Sequence, residues 1–94
     1  MNIEWTERAR RDLLNIFEFI LNENPTAAAE MLDRIDGAVS QLADHPGLGR
    51  PGRVQRTREL VIGRLPYIVP YTIAVDRVTI LRVLHAARKW PEGF

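Results

Sequence analysis

Seven side chains in the second half of this 94-residue chain can move protons or hold anions: Arg58, Glu59, Tyr67, Tyr71, Arg82, His85 and Arg88. Histidine titrates near neutrality, so His85 suits a general acid or base. Arginine presents a planar fork of donors that matches phosphate or carboxylate in two bonds at once. Each residue also has a structural reading. His85 can hydrogen-bond a carbonyl and fix the tail, Arg58 can pair with a helix acid, and Arg82 can lie over an aromatic ring. Tyr67 and Tyr71 share parity on one predicted strand, so both can pack on one face. His45, before Pro46, reads as a helix C-terminal contact. The two histidines are far apart and there is no cysteine, so neither a zinc site nor a disulfide is expected, and no cofactor motif is present.

Charge concentrates the chemistry in the same half. Residues 1–46 hold four arginines against nine acids, a balance of −5. Residues 47–94 hold eight arginines and Lys89 against Glu59, Asp76 and Glu92, a balance of +6. Such segregation points to a polyanionic target or an acidic partner segment, with a solvated basic face as the plain alternative. Arg50, Arg53 and Arg56 read as a flexible basic rim that steers association. The length fits one domain spanning residues 1–94. A domain this small buries a modest fraction of its surface, so a tightly bound partner would add to its stability. The first residues lack a signal-peptide pattern and no apolar run reaches the ~20 residues that span a bilayer, so a cytoplasmic protein without membrane contact is expected.

The elements that must carry these side chains follow from periodicity. Ile3 to Trp5 reads as a short strand, with Trp5 a core anchor. Thr6 is an N-cap for a helix over about Glu7 to Asn22, in which Ala9, Leu13, Ile16 and Ile20 repeat at helical spacing, widened by Leu14, Phe17 and Leu21. Asn24-Pro25 caps and starts a second amphipathic helix ending near Asp44. So short a break implies an antiparallel hairpin. Residues 45–52 form a Gly- and Pro-rich loop that lacks the Gly-Lys-Ser/Thr ending of a phosphate-binding loop. Three strands follow, over Arg56–Ile62, Tyr67–Val75 and Val78–Leu84. Pro70 cannot donate to a ladder, so the middle strand requires a bulge or a donor position turned from its neighbour. The order predicts an α+β fold: a helical hairpin packed on a twisted, mainly antiparallel sheet.

The run Trp5, Ala9, Asp12-Leu13, Ile16, Ile20, Asn24-Pro25, Ala28, Ile35, Leu42, His45-Pro46, Gly49, Gly52 resembles the first half of RelE/ParE toxins of bacterial type II toxin–antitoxin systems. Arg58-Glu59-Leu60-Val61, Tyr67-Ile68-Val69-Pro70-Tyr71, Val78 and Ile80 through Arg88 resemble the second half. The resemblance implies a toxin that arrests growth when free and is neutralised in a tight complex by a cognate antitoxin. It implies that operator DNA is reached only through that antitoxin.

The family divides by target. RelE-like members cut mRNA on the ribosome, which calls for a base, an acid and positive charge on the phosphate. ParE-like members interfere with DNA gyrase. The resemblance implies that RelE-like nucleases generally carry an arginine on the middle strand, in a Tyr-Arg-Leu-Val-Tyr type segment, where this chain has Ile68, and an isoleucine cannot neutralise a reacting phosphate. The Tyr-Ile-Val-Pro-Tyr segment and the Val-Leu-His ending look ParE-like, so gyrase is the favoured target and ribosomal mRNA the alternative. A basic nucleic-acid-binding module without catalysis ranks third, because it lacks the aromatic stack or helix–turn–helix of such domains. The residues to test are His85, Arg88 and Arg58 as catalytic groups if the chain is a nuclease. Arg58, Arg82, Arg88 and Trp90 are the candidates for target or antitoxin binding, Trp90 because the resemblance implicates the C-terminal end in toxicity.

Overall fold

The computed structural model describes residues 1–94. Strand β1 (Asn2–Trp5) leads into helix α1 (Glu7–Glu23) through Thr6, whose extended backbone stops the strand and caps the helix. The Thr6 hydroxyl accepts from the Ala9 amide at 3.1 Å and donates to the Leu81 carbonyl at 3.0 Å. One side chain thus starts a helix and ties it to the neighbouring strand's end at Leu81. Thr6→Ala is expected to lower the unfolding free energy by about 1.5 kcal/mol in urea titration, and Thr6→Ser, which keeps both bonds, to stay near the parent.

Asn24 alone connects α1 to helix α2 (Pro25–Ser40). Its amide donates to the Ile20 carbonyl at 2.7 Å and its side chain accepts from Ala27 at 3.1 Å, closing one helix and opening the next. Pro25 occupies the first turn, where its missing N–H costs nothing. A 3₁₀ turn at Gln41–Ala43 finishes α2, and a second covers Pro46–Leu48.

The sheet also contains β2 (Arg50–Pro51), β3 (Arg58–Val61), β4 (Tyr67–Ile73), β5 (Arg77–Ile80) and β6 (Leu84–His85). Its order is β1-β5-β4-β3-β2, with β6 also on β4. Only β1 and β5 run parallel. The register aligns Trp5 with Ile80, Ile80 with Tyr71 and Val69 with Leu60, placing them on one face. That face closes over Ala9, Met31, Ile35, Val39 and Leu42 to form the core. Trp5 packs against this core at its edge. The α+β hairpin-on-sheet architecture expected from the sequence is the one found.

Beyond strand ends that fall one or two residues short, with β3 starting at Arg58 and β4 ending at Ile73, two elements differ from expectation. The stretch Val78–Leu84 is not one strand. Tyr71 aligns with Ile80 but Ile68 aligns with Leu84, so one side advances a residue further than the other. The extra residue is a bulge over Leu81–Val83 facing Pro70. Pro70 accepts from the Leu81 amide at 2.9 Å and has no donor to offer in return, which is the physical reason for the bulge. In addition, Arg50–Pro51, expected as loop, pairs with β3. No helix is long and apolar enough to cross a membrane.

Candidate functional site

The bulge projects Arg82 toward α1. Its Nε and Nη2 donate to the two Asp12 oxygens at 2.7 and 3.1 Å, and the Val83 amide donates to the same carboxylate at 3.0 Å. Both side chains are about five-sixths buried, at 16% and 17% exposure. The hydrogen bond to Asp12 raises the Arg82 pKa above its ordinary value, aided by the Coulomb attraction and opposed by burial. Arg82 therefore lies against a helix acid and not over an aromatic ring. Its donor fork is engaged within the fold.

Beside this pair a cleft of about 510 Å³ opens between α1, β6 and the C-terminal tail. Asn15 and Phe19 line one wall, and Tyr67, His85, Arg88 and Trp90 line the others. His85 pairs with Tyr67 across the sheet, and the two rings meet edge-on with centroids 5.8 Å apart. Its Nδ1 accepts from the Ala87 amide at 3.1 Å, so the neutral ring carries its proton on Nε2. The chain then folds back. The Ala86 amide reaches the Pro66 carbonyl at 2.8 Å, and the Arg88 amide and the Trp90 indole both reach the His85 carbonyl, at 3.2 and 3.1 Å. None of the ion pairs in the protein uses Arg88 or Lys89. Of the residues singled out in the sequence, His85, Arg88 and Trp90 are brought together here. Phe19, 68% exposed at this cleft, was not among them. The signal was an aromatic residue lying off the buried stripe of α1.

Arg58 is elsewhere. It aligns with Tyr71, four positions along β4 from the Tyr67 that faces His85, so it lies about 13 Å further along the sheet and on the opposite side of β4. Its Nε and Nη2 donate to the carbonyls of Gly49 at 2.8 Å and Gly47 at 3.1 Å, not to a helix acid. Tyr71, fully buried, donates to Pro46 at 2.7 Å and accepts from the Gly49 amide at 2.8 Å. Arg58 and Tyr71 together pin the 46–49 turn. His45 helps only through its backbone, whose amide reaches the Gln41 carbonyl at 2.9 Å. Its side chain makes no capping bond.

Glu59 is the one buried charged residue, at 2% exposure. Arg50 donates twice to Oε1, at 3.2 and 3.1 Å, and the Arg53 amide donates to Oε2 at 2.7 Å. The Arg53 guanidinium also stacks 3.7 Å from the Trp90 ring centre. Arg50 and Arg53 are thus fixed, in place of the flexible rim expected from the sequence. With the Asp12 carboxylate engaged by Arg82, the cleft offers one imidazole and two cations outside any ion pair, a set suited to anion contact.

Comparison with known proteins gives these features a family. The family model described as "ParE toxin of type II toxin-antitoxin system, parDE" matches residues 3–90. A putative toxin, Y4kP, of Sinorhizobium fredii is 50% identical over 90 residues, covering 96% of this chain and 93% of that protein. Toxin RelE3 of Caulobacter vibrioides is 37% identical, covering 94% and 97%. Among solved structures, the chromosomal ParDE system of P. aeruginosa superposes with a TM-score of 0.81 at 28% identity, covering 90% of this chain and 95% of that one. The toxin–antitoxin complex RelBE2 of Mycobacterium tuberculosis gives 0.58 at 28% identity, covering 89% and 95%. With the match running from β1 to Trp90, the chain belongs to the ParE toxin family of type II toxin–antitoxin systems.

Proposed function

We propose that this toxin arrests growth by binding, as a ParE-like inhibitor of DNA gyrase in the cytoplasm, and that a cognate antitoxin neutralises it in a tight complex. The observation that carries the reading is the commitment of the two sheet arginines, Arg58 and Arg82, which leaves only Arg88 and Lys89 of the tail unpaired at the cleft. A nuclease needs positive charge free to meet the reacting phosphate. Here Arg58 is engaged by Gly47 and Gly49, Arg82 by Asp12, and the position where the nuclease branch carries arginine is the buried Ile68. The higher TM-score against the ParDE system supports the same branch. The target contacts are then Arg88 and Trp90, with Arg82 holding the bulge beside them and Arg58 the 46–49 turn elsewhere on the sheet. The two solved structures named above are toxin–antitoxin systems, which supports an antitoxin partner, through which operator DNA would be contacted.

A ribosome-dependent mRNA endoribonuclease is the second reading, favoured by one observation: His85 Nε2, Arg88 and Lys89 share the cleft. His85→Asn separates the two. Its side-chain oxygen still accepts from Ala87, but it transfers no proton at neutral pH. A binding toxin keeps its growth arrest when the variant is induced. A nuclease using His85 as acid or base loses about 100- to 10,000-fold in cutting rate, and loss of arrest in a folded variant would reverse the preference.

A further inference from the structure

The buried Glu59 carboxylate requires compensation, because a charge removed from water is costly unless it is paired and hydrogen-bonded. Arg50 compensates one oxygen, and the Arg53 amide the other, with the Arg53 Nε 3.8 Å away. Glu59 thereby holds both the backbone and the side chain of Arg53. The guanidinium of Arg53 then faces the Trp90 ring at 3.7 Å, within the range of a cation–π contact. The Trp90 indole in turn donates to the His85 carbonyl. A chain of contacts runs from β3 through Arg53 and Trp90 to the last strand, and Arg88 and Lys89 lie between its two ends.

We infer that Glu59 is a positioning residue: by holding Arg53 against Trp90 it fixes the tail that presents Arg88 and Lys89 to the cleft. No direct contact links Glu59 to the cleft, so its effect there passes through the loop and the stack. The inference rests on the proposed role of the tail in target binding, but its structural half is measured without any target.

The experiment is amide hydrogen exchange on the free, full-length toxin, following Ala87 and Arg88 in the tail and Leu60 and Val69 in the core. Arg53→Ala, Glu59→Gln and Trp90→Ala are each expected to speed exchange at the tail amides by about fivefold, with the core amides unchanged. Trp90→Phe, which keeps a ring under Arg53, is expected to fall between Trp90→Ala and the parent. Growth arrest on induction is expected to weaken in the same order. Arg53→Ala alters a half-exposed side chain, so it remains readable if Glu59→Gln fails to fold. Tail exchange unchanged in Arg53→Ala, or accelerated only in step with the core, would overturn the inference. So would Trp90→Phe behaving like Trp90→Ala. Gyrase inhibition plays no part in the exchange readout, so failure of the target reading leaves this result distinguishable.

Discussion

Asp12→Ala is expected to lower the unfolding free energy by about 3 kcal/mol, which for a domain of this size lowers the melting temperature by roughly 15 °C. The substitution removes three charge-assisted bonds, two from Arg82 and one from the Val83 amide. It leaves a mostly buried guanidinium without its anion. An exposed ion pair contributes about 1 kcal/mol at most, so a loss below that value in urea titration would show that this pair is only a surface contact. Asp12→Asn keeps acceptor capacity without charge and is expected to fall between. The pH dependence follows from the raised Arg82 pKa. A group whose pKa rises on folding stabilises fully below its unfolded value and loses that stabilisation as pH rises through the folded one. Arg82 therefore contributes throughout the neutral range, and its loss is confined to strongly alkaline solution.

Gly49→Ala is the second large effect, and its cause is steric. A Cβ at Gly49 would lie 2.7 Å from both Cε1 and the hydroxyl of Tyr71 and 2.8 Å from the Glu59 carbonyl. Tyr71 is fully buried and the Glu59 carbonyl belongs to β3, so neither can yield without moving the core. Displacing Tyr71 would also strain its bonds to Pro46 and Gly49. The expected cost is about 3 kcal/mol, read as a lower urea midpoint. Gly47→Ala serves as the control, since a Cβ there meets nothing within 4 Å. Equal midpoints for the two variants would refute the packing described around Tyr71.

The parts of this fold that were legible in the sequence are those with local causes. Thr6 and Asn24-Pro25 announce helix boundaries because caps act within three residues, and the observed bonds from Ala9 and Ala27 are those contacts. Pro70 announces either a bulge or a donor turned from its neighbour, because a missing donor must face somewhere, and the structure resolves this as an extra residue on the strand opposite. The illegible parts depend on distant partners. Asp12 and Arg82 are separated by 70 positions, and nothing in either helix or strand periodicity pairs them. Glu59 lies off the Leu60 face of β3, which alternation assigns to solvent, yet it is buried by Arg50 and Arg53. Charge density alone made Arg53 look like a mobile rim, because its carboxylate, six positions on, is reached only across a non-repeating turn and its aromatic partner Trp90 is distant in sequence. For the cleft, the sequence supplied His85, Arg88 and Trp90 but could not separate them from Arg58, since all four lie in one basic half.

A supercoiling assay with purified gyrase and purified toxin, run beside a reconstituted translation reaction, tests the proposed binding to gyrase most directly. Micromolar toxin is expected to block supercoiling, the cognate antitoxin to restore it, and translated mRNA to stay intact. Supercoiling untouched at that concentration while ribosome-bound mRNA is cut would contradict the gyrase reading.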